Sequence, residues 1–482
     1  MTAEIRSKGP KLIEFKINRQ LSDEESAAFE IVKKLQGAGF ESYIAGGAVR
    51  DLYLGNTAHD IDIATSARPE EVKKLFTASR EQGKAFGVVV IKSNELAPMQ
   101  GGEFEVATFR TDIGIADHRR PERIEYTTSE IDASRRDFTI NALFFDPIKN
   151  QIVDYVNGVE DLKNKIIRFV GVPGFRIDED YLRMLRAVRF THRLDFALDN
   201  DSAKAIKENA SKIKEISKER IRDEITAIIT GKDRELALMQ MESLKLLEAI
   251  IPELVSLRSI KQPPEFHSEG DVWIHTLLAM EKLGNPPAGG LSAELAWTVL
   301  LHDIAKPQTQ AFREHPKSKI TFFEHDVLGA NKAKEILERF KFSNEFISAC
   351  VWAIGQHMRI VHAFKDMSPR KQKRLFTHPH IDLLLDLTRA DLGASLRPDL
   401  KTDLSMYEEA VKKKEQFFKV ASDEEKQQVA KFTLISGRDI MEKLKIPSGP
   451  KVGKIKSKIE EAYLDGKIST RKEAIEMIKE NG

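Results

Sequence analysis

YIAGGAVRDLYLGNTAHDIDIATS, residues 43–66, decides how the rest of the chain is read. Two carboxylates, Asp60 and Asp62, stand two apart in an apolar, β-branched run. Alternate residues of a strand share a face, so both carboxylates project together while Ile61 and Ile63 turn away. Neighbouring carboxylates repel unless a cation neutralises them. Mg²⁺ takes carboxylate oxygens and completes its shell with substrate phosphates. Upstream, Gly46 and Gly47 allow close backbone approach, Arg50 follows, and N–H groups where a loop meets a helix hold phosphate. The stretch predicts a metal-dependent nucleotide site on a strand–loop–helix–strand frame. D-x-D alone is common, and G-G alone is usually a turn; the ordered set carries the expectation.

At 482 residues the chain is long enough for three or more domains. Charged residues make up 31%, yet the net charge is +1, so any basic surface for nucleic acid is local. The single cysteine, Cys350, excludes an internal disulfide and a cysteine-based zinc site and suits a reducing compartment. The N-terminal residues lack an apolar signal core, and no apolar run reaches membrane-spanning length. A cytoplasmic location without membrane association is expected.

Residues 1–20 read as a polar lead-in, and 22–38 as an amphipathic helix capped by Ser22. Strand-like runs follow at ESYIAGG, DIDIATS, FGVVVIKS, FEVATFR, ERIEYTTS and QIVDYV. Thr65–Ser66 before RPEEVKKLF reads as a hydroxyl-capped helix start with an early Pro69. From about Asp180 the pattern is almost wholly helical, interrupted by loops at KQPPEF and GNPPAGG. The expected fold is an α/β head with a mixed sheet followed by an elongated all-α body.

The ordered set G-G-x-V-R-D then D-x-D-x-A-T-S resembles motif A of the class II CCA-adding tRNA nucleotidyltransferase and bacterial poly(A) polymerase family, within the polymerase β superfamily. Further segments extend the resemblance. RRDFTIN (135–141) resembles motif B: Asp137 is placed to accept from a ribose hydroxyl, Arg136 supplies a planar fork for phosphate, and Asn141 shares its face if the stretch is helical. EDYLRMLRAVRF (179–190) resembles motif D. The resemblance makes Asp180 and Arg183 a protein template for the incoming base, assisted by Arg186 and Arg189. Arginine donates to cytosine O2 and N3, and a carboxylate accepts from the amino group of cytosine or adenine. Asp180 and Arg183 are three apart and neighbour each other on a helix, and an amphipathic helix with i,i+3 ion pairs produces much the same string. SKERIRDEI (217–225) resembles motif E, a helix bracing motif D. Glu105 stands in a third strand candidate, either as a third catalytic carboxylate or as a solvent-facing glutamate. Arg119, Arg120 and Pro121 lie in a charge-rich segment that reads as a mobile loop and matches the family's specificity loop.

Further on, His275, His302, Asp303, His325, His357 and Asp391 form an ordered pattern that resembles an HD-domain metal site. Single histidines on helices are more often core residues than ligands; the ordered set favours a second divalent metal and phosphohydrolase chemistry. In the tail, Gly449, Pro450 and Gly453 open a helix with Lys451 and Lys454 nearby. That turn suits either an RNA phosphate or an ordinary Pro-initiated helix.

The implied organisation is a nucleotidyltransferase head at 20–160, a helical RNA-binding neck at 161–262, an HD-type helical domain at 263–400 and a helical tail at 401–482. The implied activity is template-independent addition of CCA to tRNA 3′ ends from CTP and ATP with Mg²⁺. In this reading Asp60 and Asp62 bind metal, and Gly46, Gly47, Arg50, Arg136, Asp137 and Asn141 hold the nucleotide. GKAFGVVVIKS lacks the basic segment of the poly(A) branch, which favours CCA over poly(A) addition. An A-only or CC-only enzyme, and an HD phosphohydrolase with an RNA-binding head, are the alternatives.

Overall fold

An eight-stranded mixed sheet organises the first of two compact units, residues 1–250; the second is 251–482. The division falls inside the stretch read from sequence as the neck. The computed structural model describes residues 9–81, 87–92, 102–115, 121–284, 290–313, 319–362, 364–420, 434–447, 449–464, 468 and 470–480.

The strands are β1 (Lys11–Glu14), β2 (Ser42–Ala45), β3 (Asp62–Thr65), β4 (Ser79–Glu81), β5 (Val88–Lys92), β6 (Glu103–Thr108), β7 (Arg110–Ile115), β8 (Pro121–Tyr126), β9 (Leu143–Asp146) and β10 (Gln151–Asp154). Their order in the main sheet is β1-β10-β9-β2-β3-β6-β5-β4, with β3 and β6 parallel. Residues 11–14, read from sequence as lead-in, instead form the edge strand β1, antiparallel to β10.

The pleat divides the side chains. Ile44, Ile63, Phe145 and Ile152 are aligned across four strands and fully buried. Phe145 meets Phe29 of helix α1 (Asp23–Gly37) with ring centroids 5.8 Å apart. Ala45, Ala64, Phe144 and Val153 line the other face, with Tyr43, Phe109, Ala133 and Tyr155. Asp62 is paired with Ala45, so its carboxylate leaves the sheet on this second face. Helix α2 (Gly47–Tyr53) follows β2 directly, and α3 (Pro69–Leu75) follows β3. The α3 cap is Arg68, whose amide donates to Glu71; Thr65 Oγ1 accepts from Ala67 N instead of capping the helix.

β7 and β8 pair with each other outside the main sheet. The flanks of the expected loop are therefore a β-hairpin; Arg119 and Arg120 lie outside the described residues, and Pro121 begins β8. Helices α4 (Ser129–Ser134), α5 (Gly158–Lys163), α6 (Pro173–Glu179), α7 (Arg183–Leu194), α8 (Asn200–Asn209) and α9 (Lys218–Ile229) continue the unit.

The second unit packs helices Val272–Glu281, Ala293–Leu301, His325–Arg339, Asn344–His362 and Ile381–Ala394 around a core that includes the fully buried Trp297. The helical reading missed an antiparallel hairpin, Gln310–Arg313 with Lys319–Phe322. Two four-residue strands flanking a polar run carry too little periodicity to be read. The last three helices, Gly437–Leu444, Pro450–Leu464 and Arg471–Glu480, share a small core of Ile440, Ile459, Ala474 and Ile478. Gly449 and Gly453 have open space around their α-carbons, and the Lys454 side chain lies outside the described residues. No described helix is long and apolar enough to cross a membrane.

Candidate functional site

Asp62 opens β3, and the parallel register of β3 with β6 sets Glu105 beside it on the same face. Asp60 is not in the strand. It sits just before it with φ 51°, a left-handed conformation that aspartate tolerates in turns. Strand alternation therefore does not aim Asp60; the turn does. The three carboxylates still converge electrostatically. Burial pushes the Asp62 pKa up to about 6; Arg136 opposes this, and Glu105 and Asp60 add to it. The Asp62 side chain nonetheless reaches solvent. Among the described residues, every group of three possible ligand atoms within 4.8 Å of one another lies in the second unit, so these three carboxylates are neighbours without a closed ligand cluster. Oxygen donors that repel one another at a solvent-open strand end are the type a hard divalent cation would draw together.

The turn before Asp60 is anchored by Glu25, which is fully buried. Its Oε1 accepts from Ala58 N (2.8 Å) and Arg19 Nη2 (2.6 Å), and Arg19 also donates to the Asn56 carbonyl at 2.6 Å. Oε2 accepts from Ser22 N (2.9 Å), closing the capping box of α1. Burial alone raises the Glu25 pKa, but Arg19 and the two amides outweigh it and hold it at about 2. A carboxyl depressed from 4.5 to about 2 contributes roughly 3 kcal/mol above the unfolded pKa, lost as pH falls through about 2. Glu25→Gln is expected to lower stability in urea melts at pH 7, with the gap to wild type narrowing below pH 4.5. An unchanged gap from pH 7 to pH 3 would show that ionised Glu25 does not hold this turn.

Arg136 is the cation on the carboxylate side. Its guanidinium lies 5.1 Å from the Phe144 ring centroid and donates from Nε and Nη2 to Asp132 Oδ2 at 3.2 and 3.0 Å. A Cβ on Gly46, whose φ is 69°, would lie 2.9 Å from Arg136 Nη1, so glycine at this position makes room for the arginine. Arg50 is buried and fully engaged: Nη1 donates to Asn141 Oδ1 at 2.7 Å, and Nε and Nη2 donate to Asp51 at 2.9 Å each. Asp137 is equally committed. Oδ2 accepts from Arg186 Nε and Nη2 at 3.0 and 2.7 Å; Oδ1 accepts from Phe138 N and Asn141 Nδ2 at 2.8 and 3.3 Å. Burial opposes its ionisation, but the Arg186 charge and these bonds hold its pKa below the usual carboxylate range. Asn141 ends a short 3-10 turn, Thr139–Asn141, rather than sharing an α-helical face with Asp137.

Asp180 and Arg183 do not pair. Asp180 has an extended backbone at the end of α6, and α7 starts at Arg183. Asp180 Oδ1 accepts from Leu182 N at 3.0 Å, and Oδ2 pairs with Arg220 of α9 at 2.6 Å. Arg183 pairs with Glu179 at 2.5 Å and donates to the carbonyls of Arg176 and Arg135. Arg186 and Arg189 share Glu224 of α9 at 3.8 and 2.8 Å. Arg50, Arg186 and Arg189 all lie 5.0–5.4 Å from the Phe190 ring centroid. One polar chain thus runs Asp51–Arg50–Asn141–Asp137–Arg186–Glu224–Arg189, joining the first three motifs to α9.

In the second unit, hydrogen bonds define the tautomers. Nδ1 of His302, His325 and His357 faces the carbonyl of the residue three before it, at 2.8, 2.8 and 2.6 Å. A carbonyl only accepts, so each Nδ1 carries the proton and each Nε2 a lone pair. Yet Nε2 of His325 and His357 lie 3.2 Å apart, and the buried His302 Nε2 has no donor on it and faces the Asp303 Oδ2 acceptor. Asp303 lies between the groups, 3.2 Å from His302 and 3.5 Å from His325, with Lys306 Nζ at 2.7 Å. Asp391 approaches His275 at 3.0 Å and His302 at 3.8 Å. Burial and the adjacent His325 and His302 push His357 down to about 4, so it stays neutral. Lone pairs aimed at one another in a buried space fit cations held by two triads, His275–His302–Asp391 and Asp303–His325–His357.

Three family models match this order of sites: the poly A polymerase head domain over residues 42–168, a probable RNA and SrmB-binding site of polymerase A over 195–257, and the HD domain over 272–394. The CCA-adding enzyme of Latilactobacillus sakei is 38% identical over 318 residues, which cover 65% of this chain and 72% of that protein. The chain belongs to the CCA-adding enzyme family. The CCA-adding enzyme of Lactobacillus helveticus is 49% identical over 214 residues, 44% of this chain, so the chain spans about half of that relative's length (52%). Among solved structures, the Bacillus stearothermophilus CCA-adding enzyme in complex with CTP has a TM-score of 0.60 at 25% identity, covering 96% of this chain and 98% of that one.

For a CCA-adding family chain, several residues fix the motif side chains without having been singled out in the sequence, although Glu179 stands in motif D and Arg220 and Glu224 in the helix read as bracing it. Asp132, Glu179, Arg220 and Glu224 each fix an arginine or aspartate of the motifs. Arg220 and Glu224 are four apart on one face of α9, a legible pattern. Which helix they meet is a tertiary fact.

Proposed function

We propose that the first unit adds nucleotides to an RNA 3′ end without a template, building CCA on tRNA from CTP and ATP. The register that sets Glu105 beside Asp62, with Asp60 in the turn before it and the Arg136 charge nearby, carries this reading, and family membership supports the acceptor. Asp60, Asp62 and Glu105 would hold Mg²⁺, which would supply acidity to the RNA 3′-hydroxyl and positive charge to the triphosphate and departing pyrophosphate. Arg136 adds fixed positive charge on the same face, and Gly46 and Gly47 let the triphosphate approach the backbone. The Asp137–Arg186 fork fixes the sugar side of the pocket. Asp180 and Arg183 read the base edge, which requires the base to exchange with Arg220 and Glu179. The four segments 20–160, 161–262, 263–400 and 401–482 are the corresponding head, neck, HD-type domain and tail. We also propose that the two histidine–aspartate triads hold divalent ions and support phosphoester hydrolysis, and that the protein works in the cytoplasm, where its buried Cys350 stays reduced.

The test offers CTP, ATP, UTP or GTP singly with Mg²⁺ to the full chain and a tRNA lacking its 3′ CCA. Addition is expected with CTP alone, and with ATP on the cytidine-extended product of the CTP reaction. Equal use of all four nucleotides would overturn the base-reading assignment.

A further inference from the structure

His275 differs from the other three histidines of the second unit in what holds it. Their Nδ1 atoms rest on backbone carbonyls three residues back. The equivalent carbonyl for His275, that of Val272, already accepts from Thr276 Oγ1 at 2.8 Å. His275 Nδ1 instead meets Glu269 Oε1 at 2.9 Å. The same oxygen meets His267 Nδ1 at 2.7 Å, and the two imidazole rings stand perpendicular with centroids 5.0 Å apart. Glu269 Oε2 accepts from Leu396 N at 2.9 Å, and the Glu269 side chain is wholly buried.

We propose that Glu269 is a positioning residue for the metal centre: it holds His275 in the Nδ1–H tautomer and so aims the Nε2 lone pair at the cation. A carboxylate only accepts, so both imidazoles must present N–H to it. Nε2 of His275 faces Asp391 at 3.0 Å and Asp303 at 3.8 Å, carboxylates that also only accept, so in the metal-free chain Nε2 carries a proton too, and a cation bound there would take that proton's place while Nδ1–H stays on Glu269. An outer carboxylate on a ligating imidazole fixes the ring and raises its basicity, and its loss weakens metal affinity about 10- to 100-fold. His267 Nδ1 is turned to the same Glu269 oxygen as His275 Nδ1. It braces the carboxylate from the far side. This inference rests on the metal assignment proposed above.

Equilibrium dialysis of Mn²⁺ against the full chain tests it, with His302→Ala reporting the ions bound elsewhere. Glu269→Gln is expected to keep the wild-type number of ions while weakening the His302-dependent binding about 10- to 100-fold, because the amide carries no charge and its NH2 must face either the imidazole N–H groups or the Leu396 N–H that Oε2 accepts. His267→Asn is expected to leave that affinity nearly unchanged. Thermal melts without Mn²⁺ confirm that each variant is folded. Wild-type affinity in a folded Glu269→Gln chain would overturn the proposal. So would loss of a whole ion in both the Glu269 and His267 variants with His302→Ala still binding it, since Glu269 would then be a ligand of a separate site. If wild type and His302→Ala bind alike, the metal assignment itself fails.

Discussion

Asp62→Asn is expected to slow nucleotide addition by about 10³-fold or more, roughly 4 kcal/mol of transition-state stabilisation, while RNA binding changes little. Asparagine keeps the volume of the side chain and removes the charge that a divalent cation needs. A second consequence has the opposite sign. The folded pKa of Asp62 is raised from 3.8 to about 6 by burial and by its carboxylate neighbours, so in the absence of metal its ionisation opposes folding above the unfolded pKa. Asp62→Asn is therefore expected to raise the melting temperature at pH 7 without Mg²⁺, and the gain should fade as pH falls toward 4. A variant that is both less active and less stable would mean that Asp62 is a structural residue. Primer extension and thermal melts at two pH values, run with and without Mg²⁺, separate the cases.

Asp303→Asn is expected to strip the second unit of its divalent ions. Asp303 is 1% exposed, belongs to one triad and lies 3.2 Å from His302 of the other. Its charge also compensates Lys306, which is buried and otherwise donates to Gln262 at 2.8 Å. Removing one partner of a buried pair leaves the other uncompensated, at a cost of about 3–5 kcal/mol. The expected result is loss of metal from the second unit together with a clear fall in its melting transition. Nucleotide addition should remain near wild type, because the carboxylates of the first unit are intact. Unchanged metal content by elemental analysis would remove Asp303 from the site.

The sequence carried the chemistry of the head further than its geometry. D-x-D drew attention to Asp60 and Asp62, but through strand alternation, and Asp60 lies in a left-handed turn held by Glu25 and Arg19. Glu25 reads as an ordinary capping-box residue, since its second role depends on a loop more than thirty residues away. Spacing also suggested that Asp180 and Arg183 are helical neighbours. Asp180 instead ends one helix and accepts from Leu182 N, so the pair is separated and each member takes an ion partner that spacing does not reveal. Arg50, Asp137 and Asn141 were read as nucleotide contacts, whereas here their polar atoms bind one another and Arg186. The histidine pattern was legible as an ordered set. What no spacing could supply was the tautomer of each ring, which depends on the local carbonyls and on Glu269.

Product length on defined acceptors is the most direct measurement. Three tRNA transcripts, ending before CCA, after C and after CC, are incubated with CTP, ATP or both, and the products are resolved to single nucleotides. The expected result is extension of all three to the same CCA end and no further, with two, one and zero cytidines added before a single adenosine. A long adenosine tract on these or on unrelated RNAs would make the head a poly(A) polymerase, and a stop after the cytidines with ATP present would make it a partial-addition enzyme.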